Sequence, residues 1–204
     1  MSTALAEVLD RRMSVHEYRL TEEQSEVKRE YLAGYVYAMA GASEAHNLIV
    51  MNLYAMLHSR LRGQLCRAFG SDMQVRLQQP GGTYFYYPDA MIACDSTDVG
   101  HGWRERPAAL FEIVSESTRR TDEREKRMAY LSLGSLVAYV RIEQDRPAVF
   151  VEARTNDGGW EITEFYGLEA VAKLTGNLGM IALPLAELYE HVSFPASRNG
   201  ASAA

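Results

Sequence analysis

At 204 residues the chain is long enough to bury one core and short for two. Hydrophobic residues at 47% and charged residues at 24% are ordinary globular usage, which excludes a disordered, collagen-like or disulfide-framework protein. The net charge of −6 counts against binding nucleic acid by charge alone, and no apolar run approaches the ~20 residues that span a bilayer.

The first element is a short helix from about residue 15, because Ser14 with Glu17 three residues later forms a capping box; it runs into the acidic stretch Glu22, Glu23, Glu26. The aromatic and β-branched run from Glu30 to Met39, broken by Gly34, reads as two strands or one bent at a turn. From Ser43 the period changes: His46, Val50, Leu53, Leu57 and Leu61 recur at helical steps until Gly63 ends the helix. Residues 73–77 and 86–93 read as strands on either side of a turn at Pro80-Gly81-Gly82. Residues 108–114 are nearly all apolar, as a strand buried on both faces requires, yet contain Glu112. A charged helix opened by Asp122 spans 122–133, and apolar runs at 136–142, 147–153 and 160–166 follow, the last two joined at Asp157-Gly158-Gly159. A short helix covers 184–191. The order describes an α/β (α+β) fold, a mixed sheet with helices packed on it, in one domain over 1–194 with a polar tail at 195–204.

Cys66 and Cys94 have neither a CxxC partner nor a nearby histidine pair, so neither a zinc site nor a disulfide framework is suggested, and a reducing, cytoplasmic compartment fits. Arg60, Arg62, Arg67 and Arg76 face only Asp72 within residues 46–80, a local positive stretch within an acidic chain.

Two acids stand out. Asp89 follows Pro88 in a strand, and Glu112 lies in the most hydrophobic one; a lone buried carboxylate must be paired, hydrogen-bonded, protonated or bound to a cation. If the strands are neighbours, both acids aim at one point, and such hard oxygen ligands suit Mg²⁺ or Mn²⁺ and phosphodiester hydrolysis. Taken alone, isolated acids in strands are more often structural, and an ion pair of Glu112 with Arg106 accounts for the same residues.

Pro88-Asp89 in a strand followed by Glu112 resembles the PD-(D/E)XK nuclease superfamily. The wider text, REYLAGYVYAMAGASEAHNLIVMNL (29–53), YYPDAMIACD (86–95), ALFEIVSESTRRTDEREKRMAYLSLGS (109–135) and LPLAELYE (183–190), resembles the Uma-two family of restriction-endonuclease-like proteins within it, over roughly Val15 to His191. The resemblance implies a restriction-endonuclease-like mixed sheet flanked by helices, and a metal held by Asp89, Glu112 and the backbone carbonyl of Ile113, with Glu30 as a further acid. The superfamily's lysine falls two residues after the glutamate, where this chain has Val114; related proteins draw it from the following helix, which points to Lys126. Asp122 and Lys126 are also spaced for an ordinary helix ion pair. His46, Arg119 and Arg120 become candidate phosphate contacts, although a hydrogen-bonded core histidine and a solvated arginine face are the plainer readings. The chain departs from the family pattern at Ala33, Glu116 and Ala138, none of which removes Asp89, Glu112 or Lys126.

The expectation is therefore an Mg²⁺-dependent endonuclease acting on DNA, working as a homodimer away from membranes. The alternative is a catalytically silent nuclease-fold module that binds nucleic acid or protein. Ser115, Ser117 and Thr118 lack a histidine at a telling position, which disfavours serine chemistry. A two-carboxylate glycosidase is weaker for want of an aromatic cluster near both acids, and no GxGxxG follows a strand.

Overall fold

The computed structural model describes residues 12–39, 41–115, 125–175 and 178–194. Helix α1 (Val15–Glu22) starts where expected, with Ser14 and Glu17 completing a reciprocal capping box. Strands β1 (Arg29–Leu32) and β2 (Tyr35–Ala38) form a hairpin whose two turn residues, Ala33 and Gly34, both take positive φ (49° and 108°). That is the twist a tight hairpin needs, and Ala33 adopts it against its own preference.

Helix α2 (Glu44–Leu61) is capped by Ser43 and buries Ile49, Leu53, Met56, Leu57 and Leu61. Next come β3 (Arg67–Gly70), β4 (Gln74–Gln79), β5 (Gly82–Tyr86), β6 (Ala90–Ala93), the two-residue β7 (Trp103–Arg104) and β8 (Ala109–Val114). The remaining elements are α3 (Arg127–Leu131), β9 (Ala138–Glu143), β10 (Ala148–Arg154), β11 (Trp160–Tyr166), β12 (Val171–Leu174), β13 (Ile181–Pro184) and α4 (Leu185–Leu188). The fold is the mixed α+β class the pattern of elements implies.

A six-stranded sheet runs β11-β10-β9-β8-β6-β3, a five-stranded sheet runs β2-β1-β5-β4-β7, and β12 pairs with β13. In the larger sheet only β8 and β9 are parallel; their crossover contains α3. Alternation along the strands separates two cores. Ala90, Ile92, Ala109, Phe111, Ile113, Val140 and Val149 face α2, whereas Met91, Leu110 and Tyr139 face α3 and the β4–β5 hairpin. All six residues of β8 are buried, as its composition requires.

Four expectations need correction. Residues 86–93 are not one strand: β5 ends at Tyr86 in the smaller sheet and β6 begins at Ala90 in the larger, so Asp89 precedes its strand. Pro88 is the reason, since it offers no N–H to a ladder. The final helix is shorter than 184–191, and the short strands β3, β12 and β13 carried no clear alternation. Of the charged helix, Glu125 and Lys126 form a wide π-type turn leading into α3; Asp122 lies outside the described residues.

The fourth concerns the cysteines: Cys66 and Cys94 are joined in a disulfide. They flank β3 and β6, which pair with Arg67 opposite Ala93, so one further step of the register sets the cysteines face to face. A linear separation of 28 residues hides that proximity. The thiols therefore give no argument for a reducing compartment. Closing a loop of that length stabilises by about 3.5 kcal/mol in the chain-entropy picture. Unreduced protein is accordingly expected to take up no thiol label, and reduction to lower the urea unfolding free energy by about that amount; two labelled cysteines without reductant would contradict the bond.

Candidate active site

The face of the large sheet opposite α2 carries Glu112. Ala90 lies opposite Phe111, so Asp89, one residue earlier, comes across from Glu112. Asp89 thus sits at the entrance to the strand beside that of Glu112, and its Oδ2 accepts the N–H of Ile113, the residue after Glu112. Glu112 is 3% exposed and has Leu110 and Tyr139 as apolar neighbours on that face. An acid so placed needs compensation, and two groups of the crossover supply it. The Tyr130 hydroxyl donates to Glu112 Oε1 at 2.8 Å, and Lys126 Nζ lies 3.4 Å from the same oxygen.

Lys126, itself 6% exposed, also lies 3.0 Å from Glu30 Oε1. Glu30 projects from β1 and accepts the Tyr87 N–H at 3.1 Å, which ties the small sheet to the chain just before Pro88. One ammonium therefore bridges carboxylates from both sheets. Burial and the adjacent carboxylates push the Tyr130 hydroxyl well above its ordinary value, so it remains a proton donor to Glu112 at any physiological pH.

Asp89 is gripped from three sides. Its Oδ2 accepts the Ile113 N–H at 2.7 Å, its Oδ1 lies 3.0 Å from His46 Nε2, and its main-chain carbonyl accepts the Tyr54 hydroxyl at 2.7 Å. His46 occupies the first turn of α2, so this helix delivers an imidazole to Asp89. The same Tyr54 oxygen accepts the Ser71 N–H at 2.7 Å, and Lys28 Nζ holds the Ser71 carbonyl at 2.9 Å. A Cβ at Gly70 would come within 2.8 Å of the Tyr54 oxygen, so this close approach needs glycine.

The structure thus brings together Glu30, His46, Asp89, Glu112, Ile113 and Lys126. Ile113 meets Asp89 through its N–H. Arg119 and Arg120 lie outside the described residues. Arg106 pairs with Asp95 at 2.9 Å, and Glu112 is met by Lys126 and Tyr130 instead. Arg127 is not available to phosphate: its guanidinium holds the fully buried Glu152 at 2.8 Å through Nε. The linear arginine stretch is likewise answered by acids from elsewhere, Arg60 by Glu187 and Arg76 by Glu105. Sequence reasoning missed Tyr54 and Tyr130. One turn of helix separates Lys126 from Tyr130, and that spacing was the available signal.

Chemically the site is a set of oxygen donors beside one ammonium. Among the described residues no group of three or more His, Cys, Asp or Glu side chains is arranged to hold a metal ion. A closed zinc-type cage does not fit, whereas a hard ion that takes one or two carboxylates and completes its shell with water does. Removing the hydroxyl by Tyr130→Phe is expected to lower the unfolding free energy by about 1–2 kcal/mol. Lys126→Met, which leaves the buried Glu112 and the half-buried Glu30 without the shared ammonium, should cost roughly 3 kcal/mol. Urea titrations check both, and equal or negligible losses would contradict the bridge.

Among known proteins, a family model described as "Uma2: Putative restriction endonuclease" matches residues 15–186. Two uncharacterized proteins of Synechocystis sp. are similar: sll1609 is 28% identical over 161 residues, covering 78% of this chain and 90% of that protein, and slr1290 is 26% identical over 155 residues, covering 76% and 80%. A crystal structure of a "putative nuclease" from Anabaena variabilis superposes with a TM-score of 0.67 at 18% identity, over 87% of this chain and 97% of that one, which shows a shared fold. With the match running from the first turn of α1 into α4, the chain belongs to the Uma2 family of restriction-endonuclease-like proteins.

Proposed function

We propose that the protein is a metal-dependent endonuclease that hydrolyses phosphodiester bonds in DNA, with Mg²⁺, or Mn²⁺ in its place, as the cofactor. The observation that carries this reading is the placing of Asp89 beside Glu112, its Oδ2 accepting the Ile113 N–H at 2.7 Å, with Lys126 Nζ 3.4 Å from Glu112. Asp89 and Glu112 would hold the ion, with the Ile113 carbonyl beside them and Glu30 as a further acid. The chemistry such an ion supplies is a more acidic water and neutralised charge on the attacked phosphate.

The chain's own groups have separate tasks. His46 and the Ile113 N–H each occupy one oxygen of Asp89, so its carboxylate is oriented before any substrate arrives. Tyr130 does the same for Glu112. Lys126 is the one buried cation in contact with Glu112 and Glu30 among the described residues; it orients the attacking water and stabilises negative charge gathering on the phosphate oxygens. Arg119 and Arg120 are proposed to contact flanking phosphates.

One observation favours a second reading. Lys126 already offsets part of the charge of the two acids it touches, as a site that no longer recruits an ion would require. In that case the protein is a silent module that binds nucleic acid or protein without cutting. Cleavage separates the two. Purified protein should nick or linearise plasmid DNA with Mg²⁺ or Mn²⁺ and stop in EDTA. Asp89→Asn and Glu112→Gln should each lower the rate by roughly 10²-fold or more, and Lys126→Met by a comparable factor. No cleavage with any divalent ion, or cleavage that survives both acid substitutions, would overturn the proposal.

A further inference from the structure

Tyr37 stands beside the acid cluster without a partner of its own. Among the described residues, which include all twelve tyrosines of the chain, it is the one tyrosine with neither a hydrogen bond nor a ring or cation contact. It is half-buried, and it belongs to neither of the two cores that the small sheet helps to form. Tyr35, two residues earlier on the same face, is already met by the Arg12 guanidinium 5.5 Å from its ring centroid.

The register of the β1–β2 hairpin fixes where Tyr37 points. It lies directly opposite Glu30 in the antiparallel ladder, so both side chains leave the sheet on one face with Cβ atoms about 5 Å apart. On that face Leu32 packs against the core that contains Leu110 and Tyr139, and Glu30 reaches Lys126 at 3.0 Å. Because β2 is the edge strand of the small sheet, Tyr37 flanks the acids on the outer side of Glu30.

The surroundings limit what such a ring can serve. The acids lie in the seam between the two sheets: Glu112 and Lys126 are buried, and the side chains of Glu30 and Asp89 keep only 12% and 13% of their surface. A single strand bends its backbone into a seam of this kind at far lower cost than a stiff double helix. Charge points the same way. Arg60, Arg76 and Arg106 are each paired with an acid in a chain of net charge −6, which leaves little with which to neutralise both backbones of a duplex. Stacking of bases on aromatic rings supplies affinity for a single strand without a cation and tolerates any base.

We propose, resting on the nuclease reading, that Tyr37 stacks on an unpaired base next to the scissile phosphate, so that the form of DNA this site takes is a single strand. A base held against the ring directs the adjoining backbone toward Glu30, Lys126 and the two acids of the large sheet. Supercoiled plasmid remains a substrate, because underwound DNA opens into unpaired segments.

Fluorescence anisotropy in Ca²⁺ compares binding of the full chain to a labelled single strand and to the same strand annealed to its complement. The single strand is expected to bind at least about tenfold more tightly. Tyr37→Ala should weaken single-strand binding by about tenfold and leave duplex binding unchanged, whereas Tyr37→Phe, which keeps the ring, should bind like the parent. One abasic nucleotide is then moved along the strand. At the position that meets Tyr37 it should cost the same factor, and that cost should vanish in Tyr37→Ala, a coupling that a merely structural role for the ring would not produce. A circular dichroism melt confirms that Tyr37→Ala folds, and the comparison of the two DNA forms tests the inference without that variant. Equal affinity of the unaltered chain for both forms, or losses from Tyr37→Ala and from the abasic nucleotide that simply multiply, would defeat the inference whether or not plasmid is cut. Tight, Tyr37-dependent single-strand binding with no cleavage in any divalent ion would instead remove the nuclease reading and leave the stacking site standing.

Discussion

A glutamate in the middle of an apolar strand constrains everything around it. Glu112 could not remain ionised in β8 unless a cation and hydrogen-bond donors reached it, and the nearest residues in sequence are Phe111 and Ile113. Its compensation comes instead from the β8–β9 crossover, which returns over the same sheet face and brings Lys126 and Tyr130 down onto the carboxylate. The parallel pairing of β8 and β9 makes this possible, because parallel neighbours require a crossover long enough to carry a helix. Topology and electrostatics are thus the same requirement seen at two scales.

Asp89 meets a different constraint. It lies where the chain leaves one sheet for another, a place where the backbone is held by no ladder on one side. Tyr54 replaces the missing ladder by donating to the Asp89 carbonyl, and Gly70 leaves the room that lets the ring approach. The aspartate side chain is then fixed by an imidazole from α2 and an amide from β8. Three elements remote in sequence therefore determine one carboxylate. A position so specified is typical of groups that must hold their geometry before a ligand binds, rather than adjust to it.

Much of this was legible in the sequence because the signals are local. Ser14 with Glu17, Ser43 ahead of the helical stripe, and the unbroken apolar run of β8 each encode their element through nearest neighbours. The closeness of Asp89, Glu112 and Lys126 could be inferred from the resemblance and from the cost of burying Glu112. What stayed hidden depends on pairing across distance. The register of β3 on β6 joins Cys66 to Cys94, and the acids Glu187 and Glu105 that answer Arg60 and Arg76 come from distant segments. Pro88 did carry a readable warning, since a residue without an N–H in the midst of a supposed strand argues for a break.

The lysine on the helix changes how the site depends on the fold. Position 114, two residues beyond Glu112, is a valine only 1% exposed, so an ammonium there would be buried on the strand and fixed by the sheet itself. At position 126 the ammonium is held at the end of a wide turn that opens into α3, and it reaches both Glu112 and Glu30. It therefore couples the large sheet to the small one, which a lysine confined to β8 would have no reach to do. The arrangement makes the ammonium's position contingent on three separate pieces of structure: the sheet that carries Glu112, the hairpin that carries Glu30, and the crossover that carries Lys126 itself. Disturbing any one alters the charge balance felt by the other two, so the integrity of the site and the docking of the two sheets rise and fall together.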